Sequence, residues 1–376
     1  MHIAFAIVSL FPDGGLQRNC LAIARILGAR GHKPTIFAAR TSGPLPDDAT
    51  IELLPNNART NHGRNLRFAS DLAAATTGRF WPVIGFNKLP GLDLLYCAEL
   101  CAAARGGWRR LTPRHRALRA LEGACFAPGS NTQIVALSEP QIAGYRLAWK
   151  TEPHRITALP PNLERQRRQP QRRSDGTREQ RRAALSLRES DWCWLAIGRQ
   201  ARTKGLDRTI AALAAFPDAH LVVIGLNALD SKAAPVLKLA RRLGVDRRLS
   251  LLGLVSDDDV PALMAAADLL VHPARIDTTG TVILEAIING LPVVTTAVCG
   301  YASHVHKADA GLVVAEPFTQ DGLVRALTAA GERRGSPDWS VNGMRYGERN
   351  DLYSGLEVAA DIILRLAAVT SAEAVA

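Results

Sequence analysis

The feature that most constrains the fold is the alternation of short apolar segments with longer amphipathic segments along the chain. Residues 3–8 form the first apolar segment, and residues 16–28 carry apolar side chains at helical spacing behind a Gly-Gly turn. A second series of the same kind begins at residues 192–197. Strand followed by helix, repeated, is typical of parallel sheets covered by helices. We therefore predict an α/β protein.

The same pattern predicts further elements. Strands are expected at residues 34–39, 51–54, 82–86, 92–97, 133–137, 221–224, 249–252, 269–271 and 292–295. Helices are expected at residues 64–75 and 108–125, and near residues 205, 231, 256, 280 and 319. A last helix at about 355–368 follows a polar stretch, residues 331–350.

A break in composition separates the two series. Residues 165–182 contain eight arginines and few apolar side chains, and they follow Pro160-Pro161-Asn162. We interpret them as an exposed segment between domains. The predicted domains are residues 1–162 and 163–350, both doubly wound and Rossmann-like, with residues 351–376 as a C-terminal helix packed back on the first domain. Tandem domains of this kind would leave a cleft at the carboxyl ends of both sheets.

Composition narrows the functional classes. The chain has 376 residues, 47% of them hydrophobic, which suits a globular protein of two domains. It contains no apolar run of about 18 residues that could span a membrane, and its N-terminus is expected to be a strand and not a signal peptide. The six cysteines lack metal-ligand spacing and are expected to be reduced core residues of a cytosolic protein. The net charge of +11 favours polyanionic partners.

Two cations follow the first strand of the second series. Arg199 and Lys204 lie just after this strand and beside the start of a helix. A guanidinium fork and an ammonium suit a diphosphate. Ordinary surface charge on a basic protein explains the two residues equally well, so both interpretations stay open at this point.

Two carboxylates bracket a glycine turn further along the chain. Asp277 precedes Gly280, and Glu285 follows it on the expected helix. A helix N-terminus offers unpaired N–H groups that suit a phosphate, and carboxylates accept hydrogen bonds from sugar hydroxyls. This combination describes a nucleotide-sugar pocket. Either carboxylate alone could instead be a helix cap or a solvated helix residue.

A glycine pair follows the first strand of the chain. Gly14 and Gly15 allow close backbone approach to a ligand at a helix start. The spacing is not that of a dinucleotide fingerprint, and an ordinary strand-to-helix turn is the alternative.

Taken together, these motifs resemble those of a known enzyme family. Six motifs of the second half of the chain resemble, in their order, the C-terminal domain of retaining GT-B glycosyltransferases of family 4. They are Gly198-Arg199, Lys204-Gly205, Gly253, Asp268 to Pro273, Asp277 with Glu285, and Gly290 to Val294. The chain is also similar to lipopolysaccharide core glucosyltransferases of type I from about residue 1 to about residue 365. The similarity is carried by residues 11–18, 60–65, 83–93 and 295–302.

The resemblance implies a reaction and a set of roles. Glucose would pass from UDP-glucose to an inner-core heptose of lipopolysaccharide in an α-1,3 link, with retention and with neither a metal ion nor a cofactor. Arg199 and Lys204 would hold the diphosphate, Asp277 the donor sugar and Glu285 the ribose. Further contacts to the donor are implied for Gly14, Gly15 and the backbone amides of Gly280, Thr281 and Val282.

Three positions depart from the family pattern. Asp277 stands where the family usually has Glu, which shortens the side chain by one methylene and could alter donor preference. Asn19 replaces an Asp, and an amide cannot act as a base. Glu99 replaces an Asp that is a candidate for contacting the acceptor, so we include Glu99 with Asp277, Lys204 and Arg199 among the predicted catalytic residues.

A basic stretch from Arg105 to Arg119 includes Trp108 and is expected to be helical. Such a helix can lie on an anionic membrane surface, which suits a lipid acceptor at the cytoplasmic face. A solvated cationic helix is the alternative.

Three other functions compete with this hypothesis. A transferase of the same fold could use another nucleotide sugar and glycolipid, and a UDP-sugar epimerase would need no acceptor. A nucleic-acid-binding protein would also explain the charge. We do not expect nucleic acid as a partner, because the basic segment at 165–182 lacks aromatic residues for base stacking.

Overall fold

The computed structural model describes residues 1–12, 14–44, 46–54, 56, 58–103 and 112–373, with side chains as far as residue 368. The chain divides into two units. The first comprises Met1–Asn162 together with the chain from Ser354 onward, and the second comprises Leu163–Tyr353. In both units the described strands pair in parallel within a single sheet. The α/β prediction is confirmed.

The sheet of the first unit is built around its first strand. Its strands are β1 (His2–Leu10), β2 (Lys33–Thr41), β3 (Thr50–Leu53), β4 (Val83–Gly85), β5 (Leu94–Cys97), β6 (Gln133–Ala136) and β7 (Ile156–Ala158). Among the described residues the order is β3-β2-β1-β4-β5-β6-β7. The chain winds outward from β1 in both directions, so the switch point lies between β1 and β4.

Helices cover both faces of this sheet. They are α1 (Gly15–Ala29), α2 (Asn61–Thr76), α3 (Pro113–Phe126) and α4 (Glu139–Trp149). Central strand β1 is almost fully buried, and its residues alternate between two apolar clusters. Ile3, Phe5 and Ile7 pack with α1, whereas Ala4 and Ala6 belong to the cluster that contains residues of α2, α3 and α4.

The second unit repeats the plan. Its strands are β8 (Trp192–Ile197), β9 (Ala219–Ile224), β10 (Leu249–Leu251), β11 (Leu269–His272), β12 (Val293–Thr296) and β13 (Gly311–Val314). The order in the described part of the chain is β10-β9-β8-β11-β12-β13. Its helices are α5 (Thr177–Ala184), α6 (Leu206–Leu213), α7 (Ala234–Arg242), α8 (Asp259–Ala266), α9 (Thr281–Ile288), α10 (Ala302–Lys307), α11 (Gln320–Glu332) and α12 (Asp338–Arg349). The switch point lies between β8 and β11.

The last helix, α13 (Gly355–Glu373), belongs to the first unit although it follows the second in sequence. Its buried residues Ala359, Ala360 and Ile363 share an apolar cluster with Ile23 and Leu27 of α1. Its apolar face therefore completes the core on the α1 side of the first sheet.

The arginine-rich segment differs from the expectation of an exposed linker. Arg173, Arg178 and Arg182 donate hydrogen bonds to carbonyls in the last turn of α8 and just beyond it. Arg182 is only 6% exposed, and both Arg178 and Arg182 also contact Asp268. The carbonyls at the end of a helix have no partners within it. The arginines therefore satisfy the end of α8 and pack within the second unit, so the interpretation as an exposed segment is wrong for them.

The polar stretch at 331–350 also holds more structure than its composition suggests. It contains α12, which buries Trp339 and brings two glycines, Gly343 and Gly347, against α9. A Cβ at Gly343 would lie 2.5 Å from the carbonyl oxygen of Ile287. The close packing of α12 on α9 thus depends on glycines, which a hydrophobic pattern does not reveal.

Glu122 of α3 is a buried charge whose side chain forms hydrogen bonds with several segments of the first unit. Its side chain is fully buried, and its carboxylate accepts hydrogen bonds from Lys88 Nζ (2.6 Å), the backbone N–H groups of Ala102 (2.7 Å) and Ala103 (2.9 Å), and Trp149 Nε1 (2.8 Å). Burial opposes ionisation, but Lys88 and these hydrogen bonds outweigh it and hold the pKa of Glu122 below its ordinary value. The carboxylate thus fixes the chain after β5 against α3 and α4.

We expect Glu122→Gln to lower the free energy of unfolding by about 3–5 kcal/mol at neutral pH, because it removes the buried counter-charge of Lys88 and leaves only the longer, partly exposed contact with Glu99 at 3.5 Å. A depressed pKa gives stability that is present above the ordinary value of 4.5 and is lost as pH falls through the folded value. The variant should lack this part of the acid sensitivity. Urea unfolding between pH 7 and pH 3 measures both effects, with Glu139→Gln, at an exposed position, as the control. Equal stability of Glu122→Gln and the control would contradict this account.

Candidate functional site

The carboxyl ends of β8 and β11 form the centre of the candidate site in the second unit. These strands are neighbours at the switch point, where ligands of doubly wound sheets usually bind. Strand β8 ends at Ile197, just before Gly198, and strand β11 ends at His272. The residues predicted for donor binding in this unit lie in the loops that follow these strands and in α9.

A glycine brings the two loops together. Gly205 has a φ of +74°, and a Cβ at this position would lie 2.0 Å from the carbonyl oxygen of Pro273. The loop after β8 therefore packs directly on the backbone after β11. Lys204 immediately precedes this contact, so its side chain starts beside the β11 loop.

Lys204 and Asp277 form an ion pair at this point. Lys204 Nζ donates to Asp277 Oδ2 at 2.7 Å, and His272 Nε2 lies 2.9 Å from the same oxygen. Burial opposes ionisation of Asp277, but His272 and Lys204 outweigh it and lower the pKa of this carboxyl to about 2. The structure thus brings together two predicted site residues and adds His272, the last residue of β11.

Cys299 is a member of this cluster that sequence reasoning did not assign to the site. It lies after β12, where it forms a parallel bridge with Asp277, and its thiol is fully buried. The pKa of the Cys299 thiol is below its ordinary value, because burial, which opposes ionisation, is outweighed mainly by the interaction with His272. In sequence, Cys299 was one of six cysteines in apolar stretches, and nothing in its spacing distinguished it.

The start of α9 carries the three predicted amide donors. Gly280 has a φ of +81° and caps the helix, which begins at Thr281. A Cβ at Gly280 would lie 2.9 Å from Ile283 Cδ1 and 3.5 Å from Asp277 Oδ2. The Asp277 carboxylate thus lies close to the residue that caps α9, and the first N–H groups of the helix, including that of Val282, follow directly. Such groups have no partners within a helix.

Glu285 and Arg199 occupy different surroundings. Glu285 lies in α9 with 16% of its side chain exposed, and Arg167 Nη1 is 4.0 Å from its Oε1. Arg199 is exposed after β8, and its backbone lies close to Gly225, where a Cβ would be 3.3 Å from Arg199 N. Arg199 therefore lies at the carboxyl end of β8, and Glu285 lies on the helix whose start follows the Asp277 loop.

The glycine pair lies in the first unit. Gly14 is the residue before α1, and a Cβ there would lie 1.9 Å from Gln17 Oε1. Gln17 Nε2 in turn donates to the carbonyl of Ser9 at 2.9 Å. Gly15 opens α1, and a Cβ there would meet nothing within 4 Å. A Cβ at Gly14 would therefore displace the Gln17 side chain from this contact, whereas a Cβ at Gly15 would meet none of the described residues within 4 Å.

Glu99 follows β5 at the same edge of the first sheet. Nearly half of its side chain is exposed, Asn87 Nδ2 donates to its Oε1 at 3.2 Å, and Lys88 Nζ lies 3.5 Å from its Oε2. Its backbone carbonyl accepts hydrogen bonds from Gln141 Nε2 (2.7 Å) and Tyr145 OH (3.0 Å). Glu99 is thus an exposed carboxylate on a firmly held backbone.

Asn19, the other departure in this unit, makes two hydrogen bonds through its side chain. Its Nδ2 donates to Tyr96 OH at 2.9 Å, and its Oδ1 accepts from Asn162 Nδ2 at 3.2 Å. A carboxylate at this position could accept from both partners, because a phenol hydroxyl donates as well as accepts. These two contacts therefore suit either an amide or a carboxylate.

Part of the predicted membrane-binding stretch lies outside the described residues, namely 104–111, which include Arg105, Trp108, Arg109 and Arg110. The described part begins at Thr112, which caps α3. Arg114, Arg116 and Arg119 are exposed on α3, whereas His115 is buried. Among the described residues, no helix combines the length and apolar character needed to cross a bilayer.

Comparisons with known proteins agree with this architecture. The family model for glycosyl transferases group 1 matches residues 177–338. The chain is 38% identical to the lipopolysaccharide glucosyltransferase WaaG of Escherichia coli K12, over 96% of this chain and 98% of that protein. The crystal structure of WaaG superposes with a TM-score of 0.84 and 37% identity, over 96% of this chain and 99% of that one.

A more distant structure shows the fold alone. Anabaena HepE in complex with UDP-glucose is 17% identical, with a TM-score of 0.71 over 97% of this chain and all of that one. The two proteins thus share a fold over nearly their full lengths although their sequence identity is very low. Fold and site residues must therefore be argued separately.

We expect Gly205→Ala to destabilise the second unit by about 1–3 kcal/mol more than Gly244→Ala. Both glycines have positive φ, but a Cβ at Gly244 would meet nothing within 4 Å, whereas one at Gly205 would strike the Pro273 carbonyl. Gly244→Ala thus isolates the conformational cost of alanine in the left-handed region. Chemical unfolding of the two variants and the wild type gives the difference, and equal losses would show that the contact of Gly205 with the β11 loop is not a constraint.

Proposed function

The chain belongs to the family of lipopolysaccharide glucosyltransferases, and we propose that it transfers glucose from UDP-glucose to an inner-core heptose of lipopolysaccharide in an α-1,3 link with retention. It is a glycosyltransferase of lipopolysaccharide biosynthesis with the GT-B fold. The donor, the acceptor sugar and the stereochemistry are our proposal. The observation that carries it is the Lys204–Asp277 pair beside the start of α9.

This arrangement suits a sugar diphosphate. In our proposal Lys204 and Arg199 bind the diphosphate, and the first amides of α9, at Gly280, Thr281 and Val282, add hydrogen bonds. Charge builds up on the UDP as the glycosidic bond breaks. Donors that are already positioned stabilise this charge without reorganisation, which is often the largest contribution to catalysis. Cationic side chains would thus fill the role of a metal ion, so we propose that neither a metal nor a cofactor is required.

The carboxylates would recognise hydroxyl groups. Asp277 accepts from hydroxyls of the donor sugar, and Glu285 accepts from the ribose. Asp277 is a poor candidate for a nucleophile, because its pKa of about 2 and the contacts of Oδ2 with Lys204 and His272 reduce its basicity. In the first unit, we assign Gly15 to donor binding and Glu99, an exposed carboxylate, to acceptor binding.

A transferase with a different nucleotide sugar is the second candidate. It is favoured by Asp277, whose short side chain is held by Lys204 and His272 at the position where the donor sugar would bind. A change in the reach of this carboxylate would change which hydroxyl it contacts. A UDP-sugar epimerase is less favoured, and it would act on its donor without an acceptor.

The proposal is tested by UDP release from a panel of UDP-sugars with heptose-terminated core as acceptor, in the presence of EDTA. We expect acceptor-dependent release with UDP-glucose and a decrease in kcat/KM of about 100-fold to 1,000-fold in Lys204→Gln, by analogy with the loss of one oxyanion donor. Lys238→Gln, an exposed charge on α7, is the matched control and should retain activity.

Each other outcome of this assay identifies a specific alternative. Release with another sugar would move the donor assignment to the second candidate. Conversion of the donor without acceptor would indicate an epimerase. Loss of activity in EDTA would contradict metal independence, and full activity of Lys204→Gln would remove Lys204 from the mechanism.

We also propose that the protein associates with the cytoplasmic face of the membrane through residues 105–119. Three exposed arginines on α3 support this, because each cation near an anionic surface contributes about 1 kcal/mol. Replacing Arg114, Arg116 and Arg119 with Gln should weaken sedimentation with phosphatidylglycerol-containing vesicles by at least about tenfold. Replacing Lys238, Arg241 and Arg242 of α7 removes the same charge from the other unit and should have a smaller effect. Equal losses would indicate nonspecific attraction.

A further inference from the structure

Three side chains at the end of β11 and β12 bring a nitrogen, an oxygen and a sulfur close together. His272 lies at the end of β11, Asp277 in the loop that follows, and Cys299 in the loop after β12. One ligand atom from each lies within 4.8 Å of the others. Sequence spacing gave no sign of this group, because Cys299 is 22 residues beyond Asp277 (299 minus 277).

The donor set suits a thiophilic divalent cation. Zn²⁺ binds Cys sulfur, His nitrogen and carboxylate oxygen, and three protein ligands with an open fourth position form a recurrent type of zinc site. Metal–ligand bonds of about 2.0–2.3 Å in tetrahedral geometry place ligand atoms about 3.3–3.6 Å apart. His272 Nε2 and Asp277 Oδ2 are now 2.9 Å apart, so a small opening of this hydrogen bond would admit the ion.

The backbone holds these ligands together in the folded chain. Asp277 and Cys299 form a parallel bridge, and the N–H of Gly300 donates to the carbonyl of Asp277 at 3.0 Å. The Thr295 hydroxyl lies 2.9 Å from the carbonyl oxygen of His272 and 3.3 Å from Cys299 Sγ. Binding would therefore require side-chain adjustment only, which favours affinity.

A cation of the protein already occupies one side of this group. The Lys204 ammonium is 2.7 Å from Asp277 Oδ2, and 30% of its side chain is exposed. A lysine side chain is a flexible stem with a point charge, so it can move into solvent when a stronger cation takes its place. Lys204 also marks the route by which an ion would reach the buried ligands.

We propose that His272, Asp277 and Cys299 bind Zn²⁺, with water as the fourth ligand, and that the ion displaces Lys204 from Asp277. Binding forms metal bonds to His272 Nε2, an Asp277 oxygen and Cys299 Sγ. The Cys299 thiol proton leaves to solvent, and the proton on His272 Nε2 moves to Nδ1 or leaves to solvent. The ion occupies the position of the Lys204–Asp277 pair, to which we assign the donor diphosphate and sugar. It therefore inhibits transfer by competing with the nucleotide sugar, and this consequence, unlike the binding itself, rests on the proposed function.

Cobalt(II) is the probe for binding, because a cobalt–thiolate bond absorbs in the near ultraviolet. Titration of the chelator-treated protein with Co²⁺ should give a sulfur-to-cobalt band that Zn²⁺ abolishes. Cys299→Ala should lose the band. Cys193→Ala, at another buried cysteine of the same unit, should keep it, and thermal unfolding of both variants checks that they are folded. Absence of the band in the wild type, or its persistence in Cys299→Ala, would overturn the site.

Lys204→Gln gives a second test that does not alter the ligands. Removing the competing ammonium should tighten Co²⁺ binding by about tenfold or more, since the ion no longer has to displace a charge. Unchanged or weaker binding would contradict the displacement of Lys204.

Inhibition is measured separately with UDP-glucose and acceptor. Zn²⁺ should raise the apparent KM for the donor in the wild type and should have at least about tenfold less effect in Cys299→Ala, as expected for loss of a metal ligand. If the metal-free protein transfers no sugar, the proposed function fails while the cobalt spectrum still decides the metal site. If transfer occurs and Zn²⁺ binds without inhibiting it, the inhibitory role fails alone.

Discussion

The candidate site depends on the contact between the backbone at Gly205 and the carbonyl of Pro273. Only a residue without Cβ allows the loop after β8 to pack against the loop after β11 at this distance. That contact places Lys204 within hydrogen-bonding distance of Asp277 and so sets the ionisation of a largely buried carboxylate. The chemistry of the site therefore rests on a steric condition in the backbone as much as on the charged residues.

Much of the basic character of the chain is used inside the units. Arg155, which is 4% exposed, donates to four carbonyls at and near the end of α3 and before β6. Arg248 donates to carbonyls between the last residue of α6 and the first residue of β9, and the arginines of the 165–182 segment donate to carbonyls at the end of α8. Guanidinium groups with several donors are well suited to the unpaired carbonyls of helix ends. Part of the positive net charge of this protein therefore comes from arginines that hydrogen-bond to the unpaired carbonyls at helix ends.

The sequence predicted those features that depend on local patterns. Strands such as β8 and β11 are runs of apolar residues next to glycine or proline, so their positions and the GT-B fold class could be recognised and are confirmed. The approximate position of the candidate site could also be predicted, because ligands of doubly wound sheets bind at the carboxyl ends of the strands. The roles of Arg199, Lys204, Asp277, Glu285 and Glu99 remain predictions. Features that depend on contacts distant in sequence could not be predicted, including the approach of Cys299 to His272 and the burial of Arg182 against α8. Helix α12 escaped recognition because its packing relies on glycines within a polar sequence.

The first unit is assembled from both ends of the chain. Its α1 helix presents Ile23 and Leu27 to α13, and Arg30 forms an ion pair with Asp361 across the same interface. During synthesis α13 leaves the ribosome only after the whole of the second unit, so this apolar face stays uncovered until the second unit has been made. The second unit is continuous in sequence, and all its strands have been made by residue 314. Order of synthesis and order of completion therefore differ: the unit whose strands are made first closes its core only after the second unit has been made.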